Sequence, residues 1–126
     1  MLINPTYVTF EQAKWLKEKG FGEKCTHLYN ESDGTLSGTK MGMNGYPNKY
    51  SGYIAAPEQW QVIEWLRINY GIWIVAWRSR GIELKFYFEI DSLDKSYVGD
   101  IRNGLFNSPQ EAYSAAFDYI IENKLI

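Results

Sequence analysis

Residues 72–90 read IWIVAWRSRGIELKFYFEI, and this stretch decides the fold. Branched and aromatic residues, which favour strands, fill both of its ends. Between them, residues 78–81 read RSRG, and such a short polar segment ending in glycine is typical of a turn. The stretch therefore predicts an antiparallel hairpin with strands at 72–77 and 82–90.

The two predicted strands differ in how their side chains alternate. The second has a regular apolar side, and its other side carries polar or amphipathic residues. The first is apolar on both sides, because Trp73 and Trp77 alternate with Ile72, Ile74 and Ala76. We therefore expect one face of the sheet to form the core, while the indoles lie on the other. The predicted inward residues of the second strand are Ile82, Leu84, Phe86, Phe88 and Ile90, and the outward ones are Glu83, Lys85, Tyr87 and Glu89.

Capping motifs at the helix ends predict two of the three helices. Thr9 and Gln12 have the spacing of a capping box, and Gly20 suits the left-handed position after a helix, which gives a helix at 10–19 with Phe21 folded back on Leu16. Residues 108–111 read SPQE, a serine cap followed by proline and a glutamate that can return the capping bond. They open a helix over 109–122, with an apolar side of Ala112, Ala115, Ala116, Tyr119 and Ile120.

Pro57 and Gly71 bracket another helix, predicted over 57–70. At 100° per residue, its apolar residues form one broad face and Trp65 and Ile68 lie off it. Such a helix is either covered on more than one side or exposes an aromatic flank. The predicted face consists of Trp60, Val62, Ile63, Leu66 and Tyr70.

The remaining segments have weaker patterns. Residues 25–29 are predicted as a short strand, and 30–53 as a long glycine-rich loop in which 35–37 is the best candidate for a hidden strand. A further strand is expected either around 97–101 or at 105–106. Together these elements predict an α+β fold in a single domain, 1–126, with three helices packed mainly on one face of a small antiparallel sheet.

Composition excludes several classes of protein. The chain has 126 residues, of which 45% are hydrophobic and 22% charged, as is usual for a globular domain. Its net charge of −2 offers no broad basic surface for extended nucleic acid. No apolar run is long enough to cross a membrane, and the first residues lack the pattern of an export signal. With Cys25 as its single cysteine, the chain is expected in a cytoplasm.

Candidates for catalysis are few. Cys25 and His27 would share one side of a strand, but a lone cysteine is more often a small buried hydrophobe than a nucleophile. No cysteine, histidine and carboxylate spacing fits a metal, so we expect no metal and no cofactor. Two pairs of carboxylates suit acid–base work only in principle, because a solvated face is their usual role. These pairs are Asp91 with Asp94, and Asp118 with Glu122.

The strongest candidate site is aromatic. Trp73 and Trp77 require a cover, and the simplest is another part of the chain, either a helix or the long loop. The alternative is that their face binds a partner protein or a planar, negatively charged, nucleotide-like ligand, since indoles stack and arginines bind phosphate. A homodimer through the same face is a third interpretation. The candidate binding residues are Trp73, Trp77, Arg78, Arg80, Lys85 and Tyr87.

Two sequence motifs resemble those of a known group of proteins. The first lies within 56–74 and consists of APEQ at 56–59, Val62, WLR at 65–67 and YGIWI at 70–74. The second is NSPQEA at 107–112. In these the chain resembles small uncharacterised proteins encoded by phages and prophages of Bacteroides-like bacteria. The resemblance covers about half the chain, mainly 55–75 and 106–126, and implies a mobile element acting in a bacterial cytoplasm but no catalytic residue.

The expected function is non-catalytic. A phage accessory protein that binds a protein, such as one of its host, is the first interpretation. A binder that sequesters a nucleotide-like ligand is the second, and an enzyme is the third because nucleophiles and metal ligands are scarce.

Overall fold

The computed structural model describes residues 4–81, 83–92, 96–98 and 105–126, the side chains of 96–98 excepted. Within them the chain forms helices and two antiparallel three-stranded sheets, which confirms the α+β class. It divides into two compact units, Met1–Gln61 and Val62–Ile126. The elements are α1 (Phe10–Glu18), β1 (His27–Asn30), β2 (Leu36–Gly38), β3 (Tyr53–Ala55), α2 (Gln59–Tyr70), β4 (Ile72–Arg78), β5 (Phe86–Ser92), β6 (Ser96–Val98) and α3 (Pro109–Glu122).

The sheet of the first unit has the order β2-β1-β3, with Leu28 opposite both Ser37 and Ala55. The hidden strand expected at 35–37 is therefore present as β2, one residue later. Gly34, at φ +73°, allows the chain to turn back from β1, and its amide donates to the carbonyl of Asn30 at 2.7 Å. The predicted loop at 30–53 is thus partly regular structure.

The rest of that region is held in place by hydrogen bonds to neighbouring backbone. Asn48, in a short 3₁₀ turn, donates from Nδ2 to the carbonyl of Phe21 at 2.8 Å. Its Oδ1 accepts from the amide of Ala55 at 2.7 Å, so one side chain links two distant segments. The amide of Cys25 donates to the carbonyl of Gly45 at 2.8 Å. These bonds replace the ladder that a glycine-rich segment cannot form by itself.

Helix α1 begins and ends as its sequence predicts. Thr9 Oγ1 accepts from the amide of Gln12, and Gln12 Oε1 accepts from that of Thr9, which completes the capping box. At the other end Gly20 has φ +90°, and the amide of Phe21 donates to the carbonyl of Leu16 at 2.9 Å. The amide of Gly20 donates to the carbonyl of Lys17 at 3.1 Å, so the helix closes in a Schellman motif.

Replacing Gly20 with alanine should lower the free energy of unfolding by about 1 kcal/mol, the cost of a Cβ in the left-handed region. Nothing lies within 4 Å of that Cβ, so the effect is conformational rather than steric. Gly22→Ala is the matched control, because its φ is not positive and its nearest neighbour is at 3.8 Å. Urea denaturation should separate the two variants; equal stabilities would contradict the assignment of strain to Gly20.

The buried side of α2 differs from the predicted face. Val62 and Leu66 are buried as expected, but Trp65 is also buried, at 6% exposure, and Trp60 is 61% exposed. Tyr70, at the last turn, is exposed too, and its ring meets that of Trp65 edge to face, with centroids 5.3 Å apart. The prediction for Trp60, Tyr70 and Trp65 was wrong because the buried stripe is rotated toward positions 62, 65 and 66.

Because of this rotation, the two tryptophans of α2 should contribute very differently to stability. Trp65→Ala should lower the free energy of unfolding by about 3–5 kcal/mol, because it removes a large buried side chain. Trp60→Ala should change it by less than about 0.5 kcal/mol, as is usual at the surface. Thermal and urea denaturation of both variants check this; a large loss in Trp60→Ala would contradict the burial of α2 described above.

The sheet of the second unit has the order β4-β5-β6, with Trp73 opposite Asp91 and Trp77 opposite Tyr87. The connection between β4 and β5 is longer than the predicted turn, since the amide of Ser79 donates to the carbonyl of Lys85 and β5 begins only at Phe86. Leu84 is 60% exposed, so its prediction as an inward residue was wrong. Ile82, predicted inward as well, lies outside the described residues.

The two candidates for a further strand are both represented. β6 covers the start of the segment expected around 97–101, and Ile101 lies outside the described residues. Phe106 forms an isolated bridge to Phe86, with reciprocal backbone bonds of 2.8 Å. The hairpin is thus extended on the side of β5 that faces away from β4.

Helix α3 begins at Pro109 and ends at Glu122 as predicted. Ser108 Oγ accepts from the amide of Glu111, but the Glu111 carboxylate accepts from the amide of Asn107, one residue before the position that a capping box uses. Its buried residues are Ala112, Ala116, Phe117 and Ile120.

The helices do not share one sheet. α3 contacts β4 and β5, whereas α1 contacts β3 in the first unit. The predicted packing of three helices on one face of a single sheet is therefore not confirmed.

Candidate functional site

The β4–β5 hairpin has one covered face and one exposed face. Ile72, Ile74, Phe88 and Ile90 are buried, and the ring of Phe88 lies 5.8 Å from that of Tyr119 on α3. Because side chains alternate along a strand, the residues between these buried positions point to the opposite side of the sheet. We call that side the open face; it consists of Trp73, Val75, Trp77, Tyr87, Glu89 and Asp91.

The open face exposes large apolar side chains to water. Trp73 is 51% exposed, Trp77 47% and Val75 37%, while Tyr87 and Glu89 are half-buried. Among the described residues of the second unit, no helix covers the two indoles, so the interpretation in which a helix of this unit buries them is wrong. β4 is apolar on both sides, and α3 packs on only one of them.

A hydrogen bond fixes the second indole. Trp77 Nε1 donates to Glu89 Oε2 at 2.9 Å, across the β4–β5 pair. The carboxylate keeps its other oxygen and further lone pairs as acceptors. Asp91, directly opposite Trp73, adds a second acidic side chain to the open face.

The first indole has a cation beside it. The guanidinium of Arg67, in the last turn of α2, lies 5.4 Å from the ring centroid of Trp73. Glu64 holds that guanidinium by two hydrogen bonds, of 2.7 and 3.3 Å, and these lower the pKa of the Glu64 carboxyl. Gly71, at φ +65°, lets the chain pass directly from helix to strand, and this tight passage brings the Arg67 side chain to Trp73.

The three basic residues predicted at the rim have different positions. Arg78 is exposed at the end of β4, and its position in the alternation is that of Ile74, opposite to that of Trp77. Arg80 is exposed in the β4–β5 connection, where both arginines line a shallow hollow of about 540 Å³. The Lys85 ammonium donates to Asn107 Oδ1. The structure therefore brings Trp73, Trp77 and Tyr87 together but does not add Arg78 to them.

Sequence reasoning missed three participants. Glu89 was expected beside the indoles but not as the acceptor for Trp77, because that bond depends on the register of the hairpin, which places Glu89 opposite Val75. Asn107 carried no signal for its bond to Lys85. Arg67 carried none either, because its contact with Trp73 depends on the direction in which the chain leaves α2.

Cys25 and His27 do not form a reactive pair. Cys25 Sγ lies 3.6 Å from the carbonyl oxygen of Glu23, while the His27 ring packs on Tyr7 with centroids 4.5 Å apart. Burial, reinforced by the negative charges of Glu23 and Glu58, raises the pKa of the Cys25 thiol to about 12. A thiol in this state is a poor nucleophile at neutral pH.

The remaining candidates for chemistry are also dispersed. Asp118 and Glu122 are exposed on α3, and Asp94 lies outside the described residues. Where the structure describes the chain, histidine, cysteine and carboxylate side chains form no cluster of three that could hold a metal ion. Over the same residues, no helix has the length and apolar character needed to span a bilayer.

The burial of Cys25 predicts that its thiol reacts slowly with alkylating reagents. At pH 8 a pKa of about 12 instead of the ordinary 9.0 lowers the thiolate fraction about a thousandfold. Iodoacetamide should therefore alkylate the native protein far more slowly than the urea-unfolded chain. Native alkylation at the unfolded rate would contradict the burial.

The raised pKa of Cys25 also makes the stability of the protein depend on pH. Because the pKa is higher in the folded state than in the unfolded chain, the contribution of Cys25 to the free energy of unfolding is complete below pH 9. It decreases as the pH rises from about 9 to about 12. The stability difference between the wild type and Cys25→Ala isolates this contribution from the titration of lysines and tyrosines, and it should shrink over that range.

Comparison of the chain with protein-family models, with curated proteins and with solved structures found no match.

Proposed function

We propose that this protein acts by binding another polypeptide on the open face, without catalysis. The observation that carries the proposal is the exposure of Trp73, Val75 and Trp77 side by side on one rigid strand. Contiguous exposed apolar surface is uncommon on a protein that has no partner, and tryptophan is enriched where proteins bind each other.

The charges of the open face specify the partner. Glu89 lies between the two indole positions and uses one carboxylate oxygen for Trp77, so a basic segment would find its other oxygen for an ammonium or guanidinium group. The indole faces also attract cations, as the position of Arg67 over Trp73 illustrates. An apolar, lysine- or arginine-bearing segment is therefore the occupant that this surface fits.

A nucleotide-like ligand fits less well. Such a ligand needs a stacking ring and a phosphate-binding cation on the same side, whereas Arg78 lies on the side opposite Trp77 and Lys85 is bound to Asn107. Arg67, the cation beside Trp73, is already paired with the Glu64 carboxylate. Carboxylates beside the indoles would also repel phosphate. Among the described residues, Arg78, Ser79, Arg80 and Gly81 line the hollow, and none of these carries an aromatic ring.

The resemblance to phage-encoded proteins supplies the setting for this function. A small accessory protein in a bacterial cytoplasm that occupies a host protein needs an adhesive surface and no catalytic group. The open face provides such a surface, and the dispersed nucleophiles and carboxylates agree with a role in binding.

A dye-labelled peptide of alternating lysine and leucine tests the proposal. Its fluorescence anisotropy should rise on addition of the protein, and Trp73→Ala and Trp77→Ala should each raise the Kd by about tenfold or more, as expected for central aromatic contacts. Glu89→Gln keeps an acceptor for the Trp77 indole but removes a negative charge, and should weaken binding and its dependence on salt.

Matched controls separate this proposal from general stickiness. Trp60→Ala removes an exposed indole outside the open face and should leave the Kd unchanged. A peptide with glutamate in place of lysine should not bind. Equal affinity of both peptides, or unchanged binding by variants whose circular dichroism is native, would refute the proposal. Competition by ATP that is abolished in Arg80→Ala would favour a nucleotide instead.

A further inference from the structure

β4 ends its sheet on one side without the devices that usually protect an edge. It is the outer strand of the order β4-β5-β6 among the described residues. Natural edge strands carry a charge, a proline or a bulge that prevents pairing with another chain. Residues 72–77 read IWIVAW, without a charged residue or a proline, and the one charged residue of the strand, Arg78, lies at its end. The pairing with β5 is regular from Ile72 to Arg78.

The hydrogen-bond pattern identifies which peptide groups face outward. The amide of Ser79 donates to the carbonyl of Lys85, so Ser79 points its backbone toward β5. Antiparallel ladders alternate, and Trp73, Val75 and Trp77 therefore also direct their peptide groups toward β5. The reciprocal bonds of Phe86 with Phe106, on the far side of β5, agree with this phase. The outward peptide groups of β4 belong to Ile72, Ile74, Ala76 and Arg78.

The side chains of β4 are self-complementary about Val75. If two copies pair antiparallel with Val75 opposite itself, Trp73 of each lies opposite Trp77 of the other, and Ile74 lies opposite Ala76. Val75 and both tryptophan pairs then occupy the non-hydrogen-bonded positions, where side chains approach most closely. Aromatic cross-strand pairs stabilise a sheet, and the outward peptide groups of both strands bond to each other.

We propose that the edge of β4 pairs with the β4 edge of a second copy of this chain, about a two-fold axis through Val75. The two sheets join into one, and the two open faces become continuous on the same side of it. The peptide groups of the β4 edge form this dimer, and the open-face side chains meet only at its margin, so it does not rest on the proposed function. With one strand per subunit the interface is small, as in weak complexes, and we expect a Kd in the micromolar range or above.

Charge substitutions at the two-fold axis test the register. In sedimentation equilibrium the wild type should dimerise over a concentration series that brackets this Kd. Val75→Lys and Val75→Glu should each raise the Kd by about tenfold or more, because like charges would face each other. An equimolar mixture of the two variants should recover the dimer. Val75→Thr, which retains β-branching, should dimerise like the wild type.

A cysteine at the axis provides a second test. Val75→Cys should form an intermolecular disulfide on mild oxidation, because opposed residues of antiparallel strands lie within bridging distance. Cys25 is buried and does not interfere. Trp60→Cys, exposed on α2, should cross-link far more slowly.

Hydrogen exchange distinguishes the edge from the open face. Pairing at the edge should slow exchange of the outward amides of Ile74 and Ala76 as protein concentration rises, whereas a dimer through the open face would leave them unprotected. A chain that stays monomeric at several hundred micromolar would overturn the proposal, as would dimerisation without protection of those amides. Loss of peptide binding alone would refute only the proposed function.

Discussion

The packing of α3 on one side of the β4–β5 hairpin is the constraint on which the candidate site depends. Ala112 and Ala116 have no exposed surface, and small side chains at these positions let the helix lie close to the strands. Among the described residues, α3 covers one face of the β4–β5 part of this three-stranded sheet. Because β4 is apolar on both sides, its second set of large side chains, Trp73, Val75 and Trp77, has to face outward. The open face is thus a consequence of how little the second unit places against its sheet.

Local signals in the sequence predicted element ends better than element faces. The capping residues of α1, its Schellman motif and the bounds of α3 all follow from side chains within a few positions of the helix end, so they were predictable. The buried side of α2 was not, because Trp60 and Trp65 are equally apolar and only long-range packing decides between them. The prediction for Leu84 failed for a related reason. The alternating pattern of the sequence extends to residues before Phe86, where the strand pairing begins, so the pattern alone does not show that Leu84 lies outside the sheet.

The candidate site was predictable as far as strand alternation extends. A period of two placed Trp73, Trp77 and Tyr87 on one side, and the same rule, extended by one residue, assigns Arg78 to the other. The prediction that Arg78 lies with the indoles therefore failed, although the alternation of the sequence already indicated the opposite side. The bond from Trp77 to Glu89 required the register of the hairpin, and the position of Arg67 over Trp73 required the turn at Gly71. Neither can be obtained from spacing alone.

The open face and the free edge belong to the same strand, and their geometries decide how the two modes of binding relate. A ligand on the open face approaches along the normal of the sheet and uses side chains. A strand added at the edge approaches in the plane of the sheet and uses peptide groups, with the indoles meeting at the margin. Edge pairing therefore enlarges the aromatic surface instead of covering it, and it places the carboxylates of two copies along one surface. A basic partner would meet twice the negative charge there, so dimerisation should strengthen its binding rather than compete with it.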